Sequence, residues 1–197
     1  MISDAADGVS SELKNGNDTV LQNHGFSCLY HFSSSDNHVS IMEHGLYSLK
    51  YILSPNGVRL NATLSSNELS RSLDTEKKYD DYVRLSLFPY HPMMYTAVKD
   101  GRLKQGHIDV FKISLDILKM PGVMFSNVNA ASNVAKIMYT PEHFEWDVLA
   151  LKESYRFIHR DKKPYRQAEI LVPQMVSNDF ITVHKQHASI HDKGYLV

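Results

Sequence analysis

The run of residues 165–172 most constrains the fold, because it has the composition of a β-strand but carries one carboxylate, Glu169, in its middle. A strand of this kind usually fills both of its faces with apolar or neutral side chains. A glutamate inside it costs stability unless it has a partner or lies in a cleft. We therefore expect the Glu169 carboxylate to have a partner or to lie in a cleft. Together with the strand-like residues 29–33 far upstream, this carboxylate points to a catalytic role.

The length and the cysteine content indicate a single-domain protein of a reducing compartment. With 197 residues, the chain can form one domain, or one domain with a tail, without metal or disulfide staples. The single cysteine, Cys28, excludes an internal disulfide framework and a multi-cysteine zinc site. We expect it to be a buried small hydrophobe rather than part of a cysteine–histidine nucleophile. Neither a membrane span nor a secretory signal is evident, so we expect a cytoplasmic protein.

Charge and composition divide the chain near residue 27. Residues 1–27 are rich in Ser, Asp, Asn and Gly and carry four acidic residues against Lys14, a balance of -3. They are predicted to be a flexible leader, and residues 28–197 are predicted to be the folded domain. Because the whole chain has a net charge of -1, the predicted domain carries +2. That excess permits a nucleic-acid partner but does not indicate one.

Hydrophobic patterning predicts an α+β domain built on antiparallel sheets, because several short strands occur with few long helices and no internal repeat. Strands are predicted at residues 28–32, 81–88, 107–113, 123–125, 167–172 and 180–184. Helices are predicted at residues 37–44, 129–138 and within 142–157. Residues 46–52 read as extended chain, and residues 93–98 fit either a helix or a strand. Residues 54–80 are polar and aperiodic, and a loop of this length is often functional.

The eleven histidines do not predict a metal centre, because no His-x-x-x-His with an adjacent glutamate lies on a predicted helix. Three of them lie near the polar C-terminus and are expected to be solvated. The sequence also lacks the glycine-rich phosphate loops and the Gly-x-Ser-x-Gly elbow. What remains is His31, which period-two alternation places on the same strand face as Ser33. Together they can hydrogen-bond a ligand that lies along the strand.

Four blocks of the sequence, in order, resemble the DarT family of DNA ADP-ribosyltransferases. Tyr-His-Phe-Ser at residues 30–33, followed by Asn37, Ile41 and Gly45-Leu46, is similar to the family's opening NAD-binding block. Residues 81–86 and 91–95 resemble its central strand and the Pro-Met-Leu-Tyr-like segment that follows. Phe-Ser-Asn-Val-Asn-Ala at residues 125–130 and Gln-Ala-Glu-Ile-Leu-Val at residues 167–172 resemble the two remaining blocks.

The resemblance implies an ADP-ribosyltransferase-like fold, with two packed antiparallel sheets around an NAD cleft and helices at the periphery. It also implies that ADP-ribose is transferred from NAD, as co-substrate and without a metal, to a base of single-stranded DNA. The implied biological role is that of a toxin neutralised by a macrodomain antitoxin. A non-catalytic nucleic-acid-binding module of the same fold, and an ADP-ribosyltransferase that acts on RNA or protein, remain alternatives.

The resemblance also assigns roles to individual residues. Glu169 becomes the catalytic glutamate, which suits a carboxylate that stabilises positive charge developing on the sugar of NAD. The resemblance assigns the NAD site to His31, Ser33, Asn37, Ser48 and Arg71. Arg71 is also assigned to catalysis, with Arg59 of the same loop as its rival. It assigns contacts with the acceptor to Gln167, Asn129, Arg84 and Arg166.

Two features bear on the acceptor. Tyr-Val-Arg-Leu-Ser at residues 82–86 departs from the Tyr-Val-Pro-Phe-Tyr strand of the family's thymine-modifying branch. Together with His91-Pro92-Met93 it resembles the guanine-modifying branch, so the resemblance favours guanine as the target base. Residues 152–166 interleave basic and aromatic side chains, a mixture that suits contacts with phosphates and stacking on single-stranded bases. A solvated charged face is the alternative interpretation of this segment. Single-stranded acceptors are favoured, because a base inside a duplex must be extruded before it can react.

Overall fold

Strands with period-two alternation form the centre of the molecule. The structure is a computed structural model that describes residues 16–54, 72–73, 75–151 and 155–191. Its strands are β1 Cys28–Ser34, β2 Leu46–Tyr47, β3 Tyr82–Ser86, β4 Ile108–Ser114, β5 Met124–Ser126, β6 Ile137–Met138, β7 Glu169–Pro173, β8 Met175–Val176 and β9 Ile181–Ala188. Within the described residues, seven of them form one sheet in the order β6-β5-β7-β3-β1-β4-β9. Neighbouring strands in it are antiparallel, and β2 pairs with β8 in a smaller antiparallel sheet.

Short helices surround the sheets. They are α1 Asn17–Asn23, α2 His38–His44, α3 Leu49–Leu53, α4 Pro92–Lys99 and α5 Trp146–Leu149. In the part of the chain that the structure describes, no helix combines the length and the apolar character needed to cross a membrane. The predicted α+β class, built on antiparallel sheets with helices at the periphery, is confirmed.

Alternation along the strands gives the large sheet an apolar core on each face. One cluster contains Phe111 and Ile170 and extends to the small sheet through Leu46 and Val176. The second cluster lies on the other face, where Met94 and Ala97 of α4 pack against Ile108 and Val110 of β4. These two cores fix the central strands of the sheet.

Local hydrogen bonds explain where the helix and strand predictions were wrong. Residues 46–52 are not extended throughout, because the Ser48 hydroxyl accepts the Tyr51 N–H and starts α3. Residues 129–138 form a turn leading into β6 rather than a helix, because the Asn129 side chain accepts the Ala131 N–H. Such side-chain bonds compete with helical ones. The ambiguous segment after His91 is helical, with Pro92 in its first turn.

The N-terminal segment was only partly predicted. Residues 16–27, assigned by composition to a flexible leader, include the helix α1, so the predicted boundary is wrong for this part. Leu21 is fully buried in the first core cluster, and the Asn17 side-chain amide donates to the Tyr139 carbonyl at 3.1 Å. Residues 1–15 lie outside the described residues. Sequence patterning missed α1 because Val20 and Leu21 are its only large apolar residues.

The docking of α1 is testable by shortening Leu21. Leu21→Ala removes a fully buried side chain, and we expect it to lower the free energy of unfolding by about 2–5 kcal/mol. Gln22→Ala, at the exposed neighbouring position, is the control and should change that free energy by less than about 0.5 kcal/mol. Urea unfolding measures both. If the two variants were equally stable, α1 would not belong to the core.

Candidate active site

Glu169 is the first residue of β7 and lies between two other strands. It is paired with Ser86 of β3 on one side and with Ser126 of β5 on the other. Its side chain is only 7% exposed, although the rest of β7 is largely apolar. The carboxylate therefore stands where the chain enters the sheet, and not in the middle of a strand as the sequence predicted.

Three groups bind the Glu169 carboxylate. The Ala130 N–H donates to Oε2 at 2.8 Å, and Nη1 of Arg84 contacts the same oxygen at 3.3 Å. The Asn129 side-chain amide lies 3.5 Å from Oε1, at the limit of hydrogen bonding. Two of these donors belong to the turn after β5, and the third comes from β3. The carboxylate is thus fixed from two sides, with one weak contact on Oε1.

Burial and these contacts have opposite effects on Glu169. Burial raises the pKa of its carboxyl above the usual value, and this effect is the largest. The Arg84 cation and the Ala130 hydrogen bond work against it by stabilising the ionised form. An ionised carboxylate at this position is costly, and such arrangements are typical of active sites. A developing positive charge placed beside Glu169 would therefore be strongly stabilised.

A split in the large sheet lies next to this carboxylate. Among the described residues, β1 and β3 share only the pair Tyr30–Ser86, and the strands separate beyond it. In the gap, Nδ1 of His31 donates to the Arg84 carbonyl at 3.0 Å. Arg84 therefore connects two predicted site residues, since its carbonyl binds His31 and its guanidinium binds Glu169.

The hydrogen bond to Arg84 also sets the chemistry of His31. Burial lowers the pKa of the His31 imidazole, and the bond to the carbonyl partly offsets that effect. A neutral ring that donates from Nδ1 carries its acceptor on Nε2. His31 can therefore accept a hydroxyl hydrogen bond from a ligand that enters the split.

The other predicted NAD-site residues divide into two groups. Ser33 and Asn37 are buried together, and the Asn37 side-chain amide donates to the Ser33 hydroxyl at 2.8 Å. Ser33 shares the strand face of His31, as alternation predicted. Ser48 is 1% exposed and caps α3, and its backbone N–H binds Gln174. Arg71 and its rival Arg59 lie outside the described residues.

The predicted acceptor residues also differ in what they contact. Arg84 and Asn129 contact Glu169 itself. Gln167 does not lie on β7 as predicted but ends the 3-10 helix Lys163–Gln167, and its amide donates to the Tyr155 hydroxyl at 3.2 Å. Arg166 stacks on Phe88 and donates to the carbonyls of residues 149 and 151. Its guanidinium supports the fold here, which does not favour the predicted contact with the acceptor.

A groove of about 610 Å³ opens beside Gln167. It lies between α4 and the segment that follows α5, and its lining combines tyrosines with one cation. The lining residues are Tyr90, Pro92, Met93, Tyr95, Thr96, Tyr155, Arg156 and Gln167. Lys163 adds a second cation, at 5.4 Å from the centre of the Tyr155 ring. This composition suits a stacked base and its phosphate.

His91 entered the sequence analysis only as part of the His-Pro-Met segment, and its position inside the fold was not predicted. It is 3% exposed, and its Nδ1 accepts the Met93 N–H at the start of α4. A hydrogen bond with the backbone of Gln167 joins α4 to the segment that leads into β7. Burial, aided by the nearby Arg84 cation, lowers the pKa of His91 to about 4. The available sequence signal was a histidine directly before Pro92, which is a helix-capping position.

Within residues 16–54, 72–73, 75–151 and 155–191, no group of three or more His, Cys, Asp or Glu residues is placed to hold a metal ion. Asp109, the buried carboxylate of β4, is instead bound by His38 at 2.5 Å, by the Ser35 hydroxyl at 2.6 Å and by the His187 N–H at 3.0 Å.

Comparisons with known proteins identify the family and the fold of the chain. A family model described as "ssDNA thymidine ADP-ribosyltransferase, DarT" matches residues 30–185. No curated protein matches the chain. Thermosipho africanus DarTG, solved with ADP-ribose, has a similar structure, with a TM-score of 0.65 and 23% identity over 80% of this chain. This chain spans only 43% of that one.

Two structures from Thermus sp. 2.9 share the fold over most of both chains. DarT in complex with ADP-ribosylated single-stranded DNA has a TM-score of 0.63 and 20% identity, over 82% of this chain and 83% of that one. DarT in complex with NAD+ has a TM-score of 0.57 and 20% identity, over 82% and 84%. At these identities the likeness establishes the fold.

Protonation of His91 should make the fold acid-sensitive. The unfolded histidine binds a proton near pH 6.5 and the folded one only near pH 4, so the stabilisation is complete above pH 6.5 and is lost as the pH falls toward 4. The free energy of unfolding that is lost over this pH range is roughly 3 kcal/mol. We expect His91→Asn, which retains a capping oxygen, to lack this part of the pH dependence. Urea unfolding of both proteins between pH 4 and 7 measures it, and parallel stability curves would contradict it.

Proposed function

The chain belongs to the DarT family of ADP-ribosyltransferases, and we propose that it transfers ADP-ribose from NAD to a nucleobase of single-stranded DNA, releasing nicotinamide. The observation that carries this proposal is the Glu169 carboxylate, which is buried, held by Ala130 and Arg84, and adjacent to the split that holds His31. A purely structural glutamate would gain little from such a costly position.

The reaction exchanges one bond at the anomeric carbon for another. The bond from that carbon to the nicotinamide nitrogen breaks, and its electron pair leaves with nicotinamide. The sugar gains positive character, which the Glu169 carboxylate stabilises through the 2′-hydroxyl of the ribose. A nitrogen of the acceptor base then forms the new bond and loses its proton, for which Glu169 is the nearest base.

We assign the NAD side of the site to the split between β1 and β3. Nε2 of His31 is the acceptor for a ribose hydroxyl, and Ser33 and Asn37 support the pocket behind it. Arg71 is proposed to pair with the pyrophosphate, for which a guanidinium has matching geometry. Ser48 belongs to the same proposal through the resemblance alone, and its contacts in the fold are those of a helix cap.

We assign the acceptor side to the groove beside Gln167. Its tyrosines and cations suit an unpaired strand, whose bases stack on aromatic rings while phosphates contact cations. Gln167 lies two residues before Glu169 in the chain. A DNA strand bound in the groove can therefore present one base to the carboxylate. Double-stranded DNA would first require extrusion of that base.

We propose guanine as the preferred base, although the family's description names thymidine. The support is the sequence of β3, where Arg84 stands beside Glu169. A guanidinium next to the acceptor position favours a base with paired acceptor atoms, such as O6 and N7 of guanine. We further propose a macrodomain antitoxin as the protein partner that removes the modification.

Loss of the carboxylate should abolish the transfer. Glu169→Gln retains the shape of the side chain but removes its negative charge, so we expect the rate of ADP-ribosylation to fall at least about a hundredfold. Glu142→Gln, at an exposed position, is the matched control and should retain the wild-type rate. Purified protein is incubated with NAD and single-stranded oligonucleotides that lack either guanine or thymine, and the masses of the products are measured.

The same assay separates the alternatives. A mass increase of one ADP-ribose on oligonucleotides that contain guanine, but not on those that contain only the other bases, supports both the reaction and the base. Adducts confined to thymine would overturn the base preference alone. Absence of any DNA adduct, with NAD binding retained, would overturn the proposed function in favour of a binding module or another acceptor.

Aromatic stacking in the groove gives a second test of the acceptor side. Tyr155→Ala removes one ring from the groove, and we expect the KM for the oligonucleotide to rise about 5- to 100-fold while the KM for NAD stays within about twofold. Tyr139→Ala, at an exposed position outside the groove, is the control. Steady-state kinetics with each substrate varied in turn measure the effect. Equal KM values for both variants would exclude the groove as the binding site.

A further inference from the structure

The turn at residues 127–136 holds two of the three groups that contact Glu169. At its base, the Asn127 side chain accepts the Lys136 N–H at 2.8 Å, and the Ser126 hydroxyl donates to the Val128 carbonyl at 2.7 Å. The Ala130 N–H that binds the carboxylate lies further along the turn. The turn has no regular secondary structure, so its shape depends on such individual bonds.

Lys77 holds the far side of this turn. Its ammonium group donates to the Ala131 carbonyl at 2.8 Å and to the Ser132 carbonyl at 2.9 Å, and it lies 3.4 Å from the Asn133 side-chain oxygen. An ammonium group has three donors and no acceptor. The three oxygens therefore match its full donor capacity, although they lie more than 50 residues away in sequence.

The two carbonyls directly follow the amide that binds Glu169. The Ala131 carbonyl belongs to the residue next to Ala130, so fixing its direction restricts rotation of the neighbouring peptide groups. The Asn129 side chain, whose amide is the second donor to Glu169, also accepts the Ala131 N–H at 3.0 Å and is thereby tied to the same residue. When the ammonium is removed, the carbonyls turn toward water and the turn gains freedom.

The position of Lys77 in the chain also links this residue to Glu169. Lys77 lies in the short segment before β3, and its backbone N–H binds the Leu73 carbonyl. Seven residues later, Arg84 contacts the other side of Glu169. Residues 77–84 thus act on the carboxylate in two ways. Arg84 contacts it directly, and Lys77 contacts the turn that binds it.

We propose that Lys77 is a positioning residue for the ADP-ribosyl transfer. It holds the turn at residues 127–136 so that the Ala130 N–H and the Asn129 amide keep the Glu169 carboxylate oriented toward the sugar. Lys77 does not touch the carboxylate and acts through the turn. This inference rests on the proposed function of Glu169.

The test compares two lysines that are adjacent in sequence. Lys77→Met keeps most of the length of the side chain but removes its donors, whereas Lys78→Met removes the same charge at an exposed position. We expect Lys77→Met to lower kcat about 10- to 100-fold, as for loss of a hydrogen bond to a charged group, with the KM for NAD within about threefold. Lys78→Met should match the wild type in both constants.

Amide hydrogen exchange provides a readout that does not depend on activity. In Lys77→Met, we expect the amides of residues 127–136 to exchange at least about tenfold faster, while those of β3 and β7 keep their wild-type rates. General destabilisation would instead accelerate exchange throughout the sheet. Unchanged protection of the turn, or an equal loss across the whole molecule, would overturn the positioning role.

The combined outcomes distinguish this inference from the proposed function. If the wild type forms DNA adducts and Lys77→Met forms them with the same kcat, the positioning role is wrong and the function stands. If the wild type forms no adduct, the proposed function fails, and the exchange measurement still decides whether Lys77 holds the turn. A lower kcat together with faster exchange confined to the turn supports the positioning role.

Discussion

The rest of the site depends on keeping one ionised carboxylate inside the sheet. Burial favours the neutral form of Glu169, and a buried charge without partners costs several kcal/mol. Arg84 and the Ala130 N–H offset this cost from opposite sides. The fold thus maintains a group that a stable core would not otherwise contain, and such a conflict is typical of sites where stability is exchanged for function.

Arg84 organises the region around that charge. Its carbonyl lies where β1 and β3 separate and accepts the hydrogen bond from His31. This bond holds the His31 ring, which lines the split. Its guanidinium contacts Glu169, and its charge helps to keep His91 neutral. His91 in turn joins α4 to Gln167 at the entrance of β7. The proposed NAD side and the proposed acceptor side therefore meet at one residue of β3.

Sequence reasoning succeeded where the signal was local. The strand-like run that contains a carboxylate and the alternation of β4 are both visible in neighbouring residues. Residues 129–138 were wrongly predicted as a helix, because the Asn127 and Asn129 side-chain bonds that shape the turn at residues 127–136 are not evident from the sequence. The contacts of Lys77 and Arg84 could not be predicted from the sequence, because their partners lie more than 50 residues away and only the folded sheet brings them together.

The most direct test is a crystal structure of the protein with an NAD analogue whose nicotinamide-side ribose is carbocyclic and resists cleavage. The 2′-hydroxyl of that sugar should lie within about 3.2 Å of the Glu169 carboxylate, with another hydroxyl of the ligand bound to Nε2 of His31. An analogue bound away from the split between β1 and β3, with Glu169 still contacting only Arg84 and the turn, would contradict the assignment of Glu169 as the catalytic carboxylate.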